Sequence, residues 1–173
     1  MDLVVLAEAQ DSYTATFEME FEPGELVATA FRGASEIGRT LLRSAETEVN
    51  LAARLDRSAI VADDRDLAFV SIELLDRYGT VHAMADRDIT VAVDGPGVLQ
   101  GLGSADPASE GSFLASTCAT FDGRALAVIR PTGSGSVTIT VGAHGCDPTT
   151  VVLQTAAPLP RSSQAAFASV ERR

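Results

Sequence analysis

The chain has 173 residues, of which 46% are hydrophobic and only 5% aromatic, with no tryptophan. Such a composition supports a packed aliphatic core, and no apolar run reaches the roughly 20 residues that a membrane-spanning helix needs. The net charge of −11 repels phosphate backbones and anionic lipids, so nucleic acids and membranes are not expected as partners.

Residues 1–45 are predicted to form a small β-module. Apolar and polar side chains alternate strictly from Tyr13 to Phe21, which is the pattern of a strand with one buried face. Pro23 and Gly24 favour a tight turn, and a second turn follows at Gly33. The pattern therefore predicts a three-stranded meander, with strands at 13–21, 26–32 and 39–44.

Residues 46–155 are predicted to form a β-sandwich. Segment 49–55 alternates like a strand but contains good helix formers, and its shortness and flanking strands favour the strand. The glycines between Gly95 and Gly103 are interpreted as a strand break followed by an irregular loop, and as residues that permit a bent strand and close backbone packing. Short strands separated by turn signals, without a convincing long helix, indicate an all-β fold. The predicted strands are 49–55, 67–76, 89–93, 124–130, 137–143 and 149–155.

The last segment, 156–173, is predicted to be a C-terminal tail. It begins with Ala156-Ala157-Pro158-Leu159-Pro160, which ends the regular strand pattern. A short helix is predicted within it near residues 165–170.

No catalytic, cofactor-binding or metal-binding residue is predicted. The only imidazoles are His82 and His144, and the chain has no G-x-S-x-G elbow. Clustered carboxylates could hold calcium, yet no Asp-x-Asp-x-Asp-Gly loop is present, and solvated turns explain the clusters better. These clusters are Asp63, Asp64 and Asp66, and Asp86 with Asp88.

The two cysteines leave two interpretations open. Cys118 and Cys146 can be small, partly buried thiols, or they can form one disulfide in an oxidising compartment. With His144 as the only nearby imidazole, they do not make a persuasive zinc site. Among the aromatic residues, Phe113, Phe121 and Tyr78 could line a platform for a sugar, although isolated aromatics more often fill a core or a surface.

Three blocks of sequence resemble one known module. They are similar to the bacterial immunoglobulin-like module near the C-terminus of β-galactosidase-type enzymes of glycoside hydrolase family 2. Ser104-Ala105 stand where that family favours Asn-Gly, while Asp106-Pro107 match it. Upstream, 13–46, with Pro23-Gly24-Glu25-Leu26, resembles the end of the smaller β-domain that precedes the module. The three blocks are 62–79, 95–107 and 121–130.

The resemblance implies an all-β chain, with an immunoglobulin-like β-sandwich at 46–155, an incomplete smaller β-module at 1–45 and a tail at 156–173. The family's catalytic glutamates lie on a (β/α)₈ barrel that nothing here resembles. The chain is therefore expected to be a non-catalytic C-terminal accessory region that supports the catalytic barrel or an oligomer. The catalytic domains of a parent hydrolase would be its partners, in the bacterial cytoplasm or after secretion.

Two alternatives to the accessory region stay open, a carbohydrate-binding module and an adhesion-type immunoglobulin-like module.

Overall fold

The computed structural model describes residues 14–63 and 65–158, and these residues contain strands but no helix. The chain divides into two compact units, Met1–Ser44 and Ala45–Arg173. No described segment could cross a membrane as a helix. The helix predicted near 165–170, with most of the predicted tail, lies outside the described residues.

The first unit contains an antiparallel hairpin of two strands, β1 (Glu25–Arg32) and β2 (Ser35–Arg43). Gly33, at φ 61°, and Ala34 form the turn, because Arg32 already pairs with Ser35. The second turn is therefore shorter than predicted, and β2 starts four residues earlier than the strand expected from Arg39.

The strand predicted at 13–21 is wrong for the part that the structure describes. Residues 14–21 pair with no strand, and Phe17, Met19 and Phe21 are exposed. Alternation indicates a strand only where a neighbouring strand and a covering layer are available, and the described part of this unit offers neither to this segment. The predicted meander is thus a hairpin.

The second unit is a sandwich of two sheets, which confirms the predicted fold class. One sheet has the strand order β4-β11-β10-β6-β8, and the other has the order β3-β5-β9-β7. Neighbouring strands are antiparallel, except that β4 and β11 are parallel. The strands are β3 (Asn50–Leu55), β4 (Ala59–Val61), β5 (Ala68–Leu75), β6 (Asp88–Asp94), β7 (Gly97–Gly103), β8 (Thr117–Ala119), β9 (Arg124–Pro131), β10 (Gly135–Ala143) and β11 (Thr149–Ala156).

The core lies between the two sheets and is aliphatic. Period-two alternation turns every second side chain inward, as in β10, where Val137, Ile139 and Val141 have no exposed surface. Each such side chain stabilises the fold by about 1.5–3 kcal/mol relative to an exposed one. The largest fully buried members are Val70, Ile72, Leu74, Ile89, Leu102, Ile129, Val137, Ile139, Val141 and Leu153.

The ambiguous segment and the glycine-rich segment both proved to be strands. Residues 50–55 form β3, which pairs with β5 and confirms the strand over the helix. The irregular loop expected after Gly95 is wrong, because 97–103 form β7, paired with β9 through a bulge at Leu99 and Gly101. Close packing explains the glycines: a Cβ on Gly97 would lie 2.9 Å from a methyl carbon of Val137. The short strands β4 and β8 were not predicted.

Candidate functional site

A groove crosses the outer face of the four-stranded sheet. Its volume is about 590 Å³, and strands β5, β9 and β7 form its floor. The loop that follows β7 forms one wall, through Ser104, Ala105 and Phe113. The remaining lining residues are Ser71, Ile72, Glu73, Gly101, Leu102, Gly103, Arg124, Ala125, Leu126 and Val128.

The wall of the groove depends on the ring of Phe113. The amide of Leu102 donates a hydrogen bond to the Phe113 carbonyl at 2.8 Å, which holds this part of the loop against β7. A Cβ on Gly103 would lie only 2.5 Å from the ring atoms Cδ1 and Cε1, so the ring packs directly on the glycine backbone. Phe113 nevertheless remains 65% exposed, which leaves most of the ring available for contact.

The floor of the groove is apolar and its charged groups are internally paired. Leu126 and Val128 project outward from β9 between the inward-facing alanines of that strand. At one end Arg124 Nε lies 3.4 Å from Glu73 Oε1, in a cross-strand pair between β9 and β5. Both partners are partly exposed, so the pair contributes little to stability. The centre of the groove therefore offers apolar contact, with polar groups at its rim.

Only one of the three aromatic residues proposed for a sugar platform lines this groove, namely Phe113. Tyr78 lies in the turn after β5, where the Arg77 guanidinium carbon is 4.8 Å from its ring centroid. Phe121 forms a bridge with Arg124 just before β9 and does not line the groove. The structure therefore does not combine these three residues into one platform.

Sequence reasoning missed the floor of the groove, although a signal was present. In β9 the outward positions Leu126 and Val128 are as apolar as the inward ones. Two adjacent apolar outward positions, flanked by Arg124 and Arg130, indicate an apolar patch at the middle of the outer face that another layer could cover.

The imidazoles and clustered carboxylates form no catalytic or metal-binding arrangement among the described residues. The amide of His144 donates to the Asp88 carbonyl at 3.3 Å, and His82 Nε2 is buried without a hydrogen-bond partner among the described residues. Within residues 14–63 and 65–158, no three His, Cys, Asp or Glu side chains are grouped as metal ligands.

The acidic cluster near Asp63 is a turn held by its own backbone. Asp63 Oδ1 accepts hydrogen bonds from the amides of Arg65 and Asp66, both at 2.9 Å. These two bonds lower the pKa of Asp63 below its ordinary value. Asp66 in turn forms an ion pair with Arg57 at 3.0 Å. The carboxylates of Asp63 and Asp66 are thus engaged in the way expected of a turn, while Asp64 lies outside the described residues.

A buried carboxylate organises the turn after β5. Asp76 is only 3% exposed, and its oxygens accept hydrogen bonds from the amides of Glu46 (3.1 Å), Tyr78 (2.9 Å) and Thr80 (2.8 Å). Desolvation alone would raise the pKa of Asp76, but the backbone donors outweigh it and the pKa lies below its ordinary value. This residue has a structural role that sequence reasoning did not single out.

The two cysteines are free thiols in the structure. Cys118 packs against the core, and burial, followed by the nearby charge of Asp88, raises the pKa of its thiol. Cys146 donates from Sγ to the Val49 carbonyl at 3.4 Å. Of the two open interpretations, the structure has the reduced one.

Comparison with known proteins identifies the class to which this sandwich belongs. Residues 51–152 match glycoside hydrolase family 2 C-terminal domain 5, which is more than half of the chain. The chain therefore belongs to the family of C-terminal domains of glycoside hydrolase family 2.

The relatives are much longer than this chain. Beta-galactosidase BoGH2A of Bacteroides ovatus is 28% identical over 136 residues, which cover 78% of this chain and 16% of that protein. A glycosyl hydrolase family 2 member of Bacteroides cellulosilyticus has a TM-score of 0.82 at 27% identity, over 86% of this chain and 19% of its own. A second structure from that species, strain DSM 14838, gives 0.81 at 28% identity, over 85% and 20%. The chain thus spans about a fifth or less of these relatives.

Proposed function

We propose that the chain is a non-catalytic C-terminal accessory region of a β-galactosidase-like glycoside hydrolase, where it supports the catalytic barrel or the oligomer. The family match supports a place in a glycoside hydrolase. The chain matches only 16% of the length of BoGH2A, which supports the role of an accessory domain rather than that of the whole enzyme. A β-sandwich fold does not by itself imply a function, which must be argued from particular sites or surfaces. For an accessory domain, the relevant surfaces are those that are apolar and exposed and would be covered by the rest of the enzyme.

The observation that carries the proposal is the hairpin β1–β2. Its apolar side chains are exposed on both faces of a two-stranded sheet, and such a sheet is at best marginally stable alone in water. Leu26 pairs directly with Leu42 on one face, and Val27 pairs with Leu41 on the other. All four are about half exposed or more. Additional strands from a larger polypeptide would cover them, as expected if 1–45 is the incomplete end of a smaller domain.

The proposal can be tested on the gene and on the enzyme it encodes. If the reading frame upstream encodes a (β/α)₈ barrel with paired glutamates, the parent should be produced with and without this region. We expect its removal to lower the melting temperature or dissociate the oligomer, while the turnover number of the surviving folded enzyme on an aryl galactoside is retained. An unchanged melting temperature and oligomeric state would refute the accessory role.

The catalytic part of the proposal has its own test. The isolated chain should not hydrolyse an aryl galactoside, because the carboxylates of Asp63, Asp66 and Glu73 are held in a turn and in ion pairs rather than facing each other across a cleft. Turnover by the pure chain that disappears when one carboxylate is replaced would overturn this conclusion.

A carbohydrate-binding role is the second candidate, and one observation favours it. The exposed Phe113 ring stands beside a groove that ends at the Glu73–Arg124 pair, and sugars bind by stacking C–H faces on rings and hydrogen-bonding at charged groups. Saturable binding of methyl β-galactoside to the chain, lost in Phe113→Ala, would support this role. The absence of a response across a broad glycan panel would exclude it.

A further inference from the structure

The two outer faces of the sandwich differ in chemistry. On the five-stranded sheet, β10 turns Ser136, Thr138 and Thr140 outward, while β11 presents Thr150 and Gln154. This face is rich in hydroxyl and amide groups, which water satisfies without a protein partner. Its exposed large apolar side chains are the isolated Val61 and Val152.

The outer face of the four-stranded sheet has a continuous apolar centre. Phe69 on β5 and Leu126 on β9 are both partly exposed, and the exposed ring of Phe113 packs on β7 at Gly103. The groove of about 590 Å³ runs through this centre. Concave apolar surface with a large exposed ring is the feature that anchors protein interfaces, whereas scattered single apolar residues need no explanation.

The rim of this face supports the same conclusion. Glu73 and Arg124 are paired at one end of the groove, and on the same sheet Arg130 Nε donates to Gln100 Oε1 at 2.7 Å. An apolar centre surrounded by polar groups that already have partners is the usual anatomy of an interface. Because these charges are engaged within the sheet, recognition would depend on shape and apolar contact more than on charge.

We infer that this face, defined by Phe69, Phe113, Leu126 and Val128, is the surface on which the remainder of the parent hydrolase packs. The inference rests on the proposed accessory function, and it adds which face of the sandwich contacts the rest of the enzyme. The occupant is an apolar segment of the parent's own polypeptide, since relatives extend over five times the length that this chain matches.

The inference is tested by side-chain footprinting on the parent enzyme and on the isolated chain. We expect labelling of Phe113 and Leu126 to fall in the parent by on the order of tenfold, because core interface residues are desolvated. Labelling of Val152, on the opposite face, should change by less than about twofold. Equal labelling of Leu126 in the parent and the isolated chain would overturn the inference.

A matched pair of variants gives an independent test. Leu126→Asp and Val152→Asp introduce the same charge at positions of similar exposure, 43% and 47%, on opposite faces. In the isolated chain both should leave the melting temperature nearly unchanged. In the parent, Leu126→Asp should accelerate thermal inactivation by about tenfold or more, and Val152→Asp by less than about twofold.

The outcomes separate this inference from the proposed function. If removing the whole region destabilises the parent but Leu126→Asp does not, the accessory role stands and this face is not its docking surface. If removing the region has no effect, the accessory role itself fails. Saturable binding of methyl β-galactoside by the isolated chain, abolished by Leu126→Asp, would overturn the inference in favour of a saccharide site.

Discussion

Gly95 provides a quantitative test of the packing at the point where the chain leaves β6 for β7 and crosses from one sheet of the sandwich to the other. It lies between β6 and β7 at φ 97°, and a Cβ there would lie 2.4 Å from the carbonyl oxygen of Ser136. Ser136 belongs to β10 and pairs with Gln154 of β11, which restrains its backbone on that side. Gly95→Ala therefore combines a disfavoured backbone conformation with a steric clash against backbone.

The expected cost is the sum of these two terms. The positive φ costs about 1–3 kcal/mol and overpacking a further 1–3 kcal/mol. Reduced freedom of the unfolded alanine chain offsets about 0.4–1 kcal/mol. We expect Gly95→Ala to lower the free energy of unfolding by about 3 kcal/mol, which corresponds to a fall in melting temperature of roughly 10 °C.

Two control variants separate the terms. Gly79 has φ 82° but no atom within 4 Å of its Cβ position, so Gly79→Ala should cost only the backbone term, about 1–2 kcal/mol. Gly142, on β10, has neither a positive φ nor a close neighbour, and Gly142→Ala should change stability by less than about 0.5 kcal/mol. Urea unfolding followed by circular dichroism measures all three. Equal losses for Gly95→Ala and Gly79→Ala would refute the role of the Ser136 clash.

Three further predictions concern the core, one carboxylate and the thiols. Ile139→Ala should cost about 2–5 kcal/mol in urea unfolding, and Val152→Ala, at an exposed position, less than about 1 kcal/mol. Because the folded pKa of Asp76 lies below its ordinary 3.8, the stability it contributes is complete above that value and is lost as the pH falls through the folded pKa. Asp76→Asn should therefore lower the melting temperature at pH 7 and weaken its fall at acid pH; an unchanged acid profile would contradict this assignment. Cys118 and Cys146 should both be alkylated in unfolded protein without a reductant, and a mass 2 Da below that of the reduced chain would contradict the free thiols.

The sandwich was predictable because its signals are local. In β10 the alternation of Val137, Ile139 and Val141 with polar residues gives both the strand and its buried face. The hairpin unit was predicted less well, since the alternation at Phe17 and Met19 is just as regular but has no neighbouring strand among the described residues. Whether a segment forms a strand depends on a second strand that can hydrogen-bond to it, and the alternation within the segment carries no information about that second strand.

The groove could be predicted only in part. Phe113 was named from the sequence only as one of three aromatic residues that could line a sugar platform, and the outward apolar pair Leu126 and Val128 was available as a signal. Close packing at the glycines of β7 was expected, but not its partner, which at Gly103 is a ring from ten residues further along the chain. Contacts of that kind depend on how the loop folds back, which composition and spacing do not determine.

The parallel pairing of β4 with β11 has a consequence for synthesis on the ribosome. Ile60 lies beside Thr155 in this pair, so β4, the first strand of the five-stranded sheet in sequence, gains its neighbour only when β11, the last strand among the described residues, has been made. While translation proceeds, Ile60 and one edge of β10 remain without their neighbours until residue 156 has left the exit tunnel. A nascent chain stalled in the turn at 144–148 should therefore bind chaperones and be degraded by proteases, while a chain released after β11 should resist both.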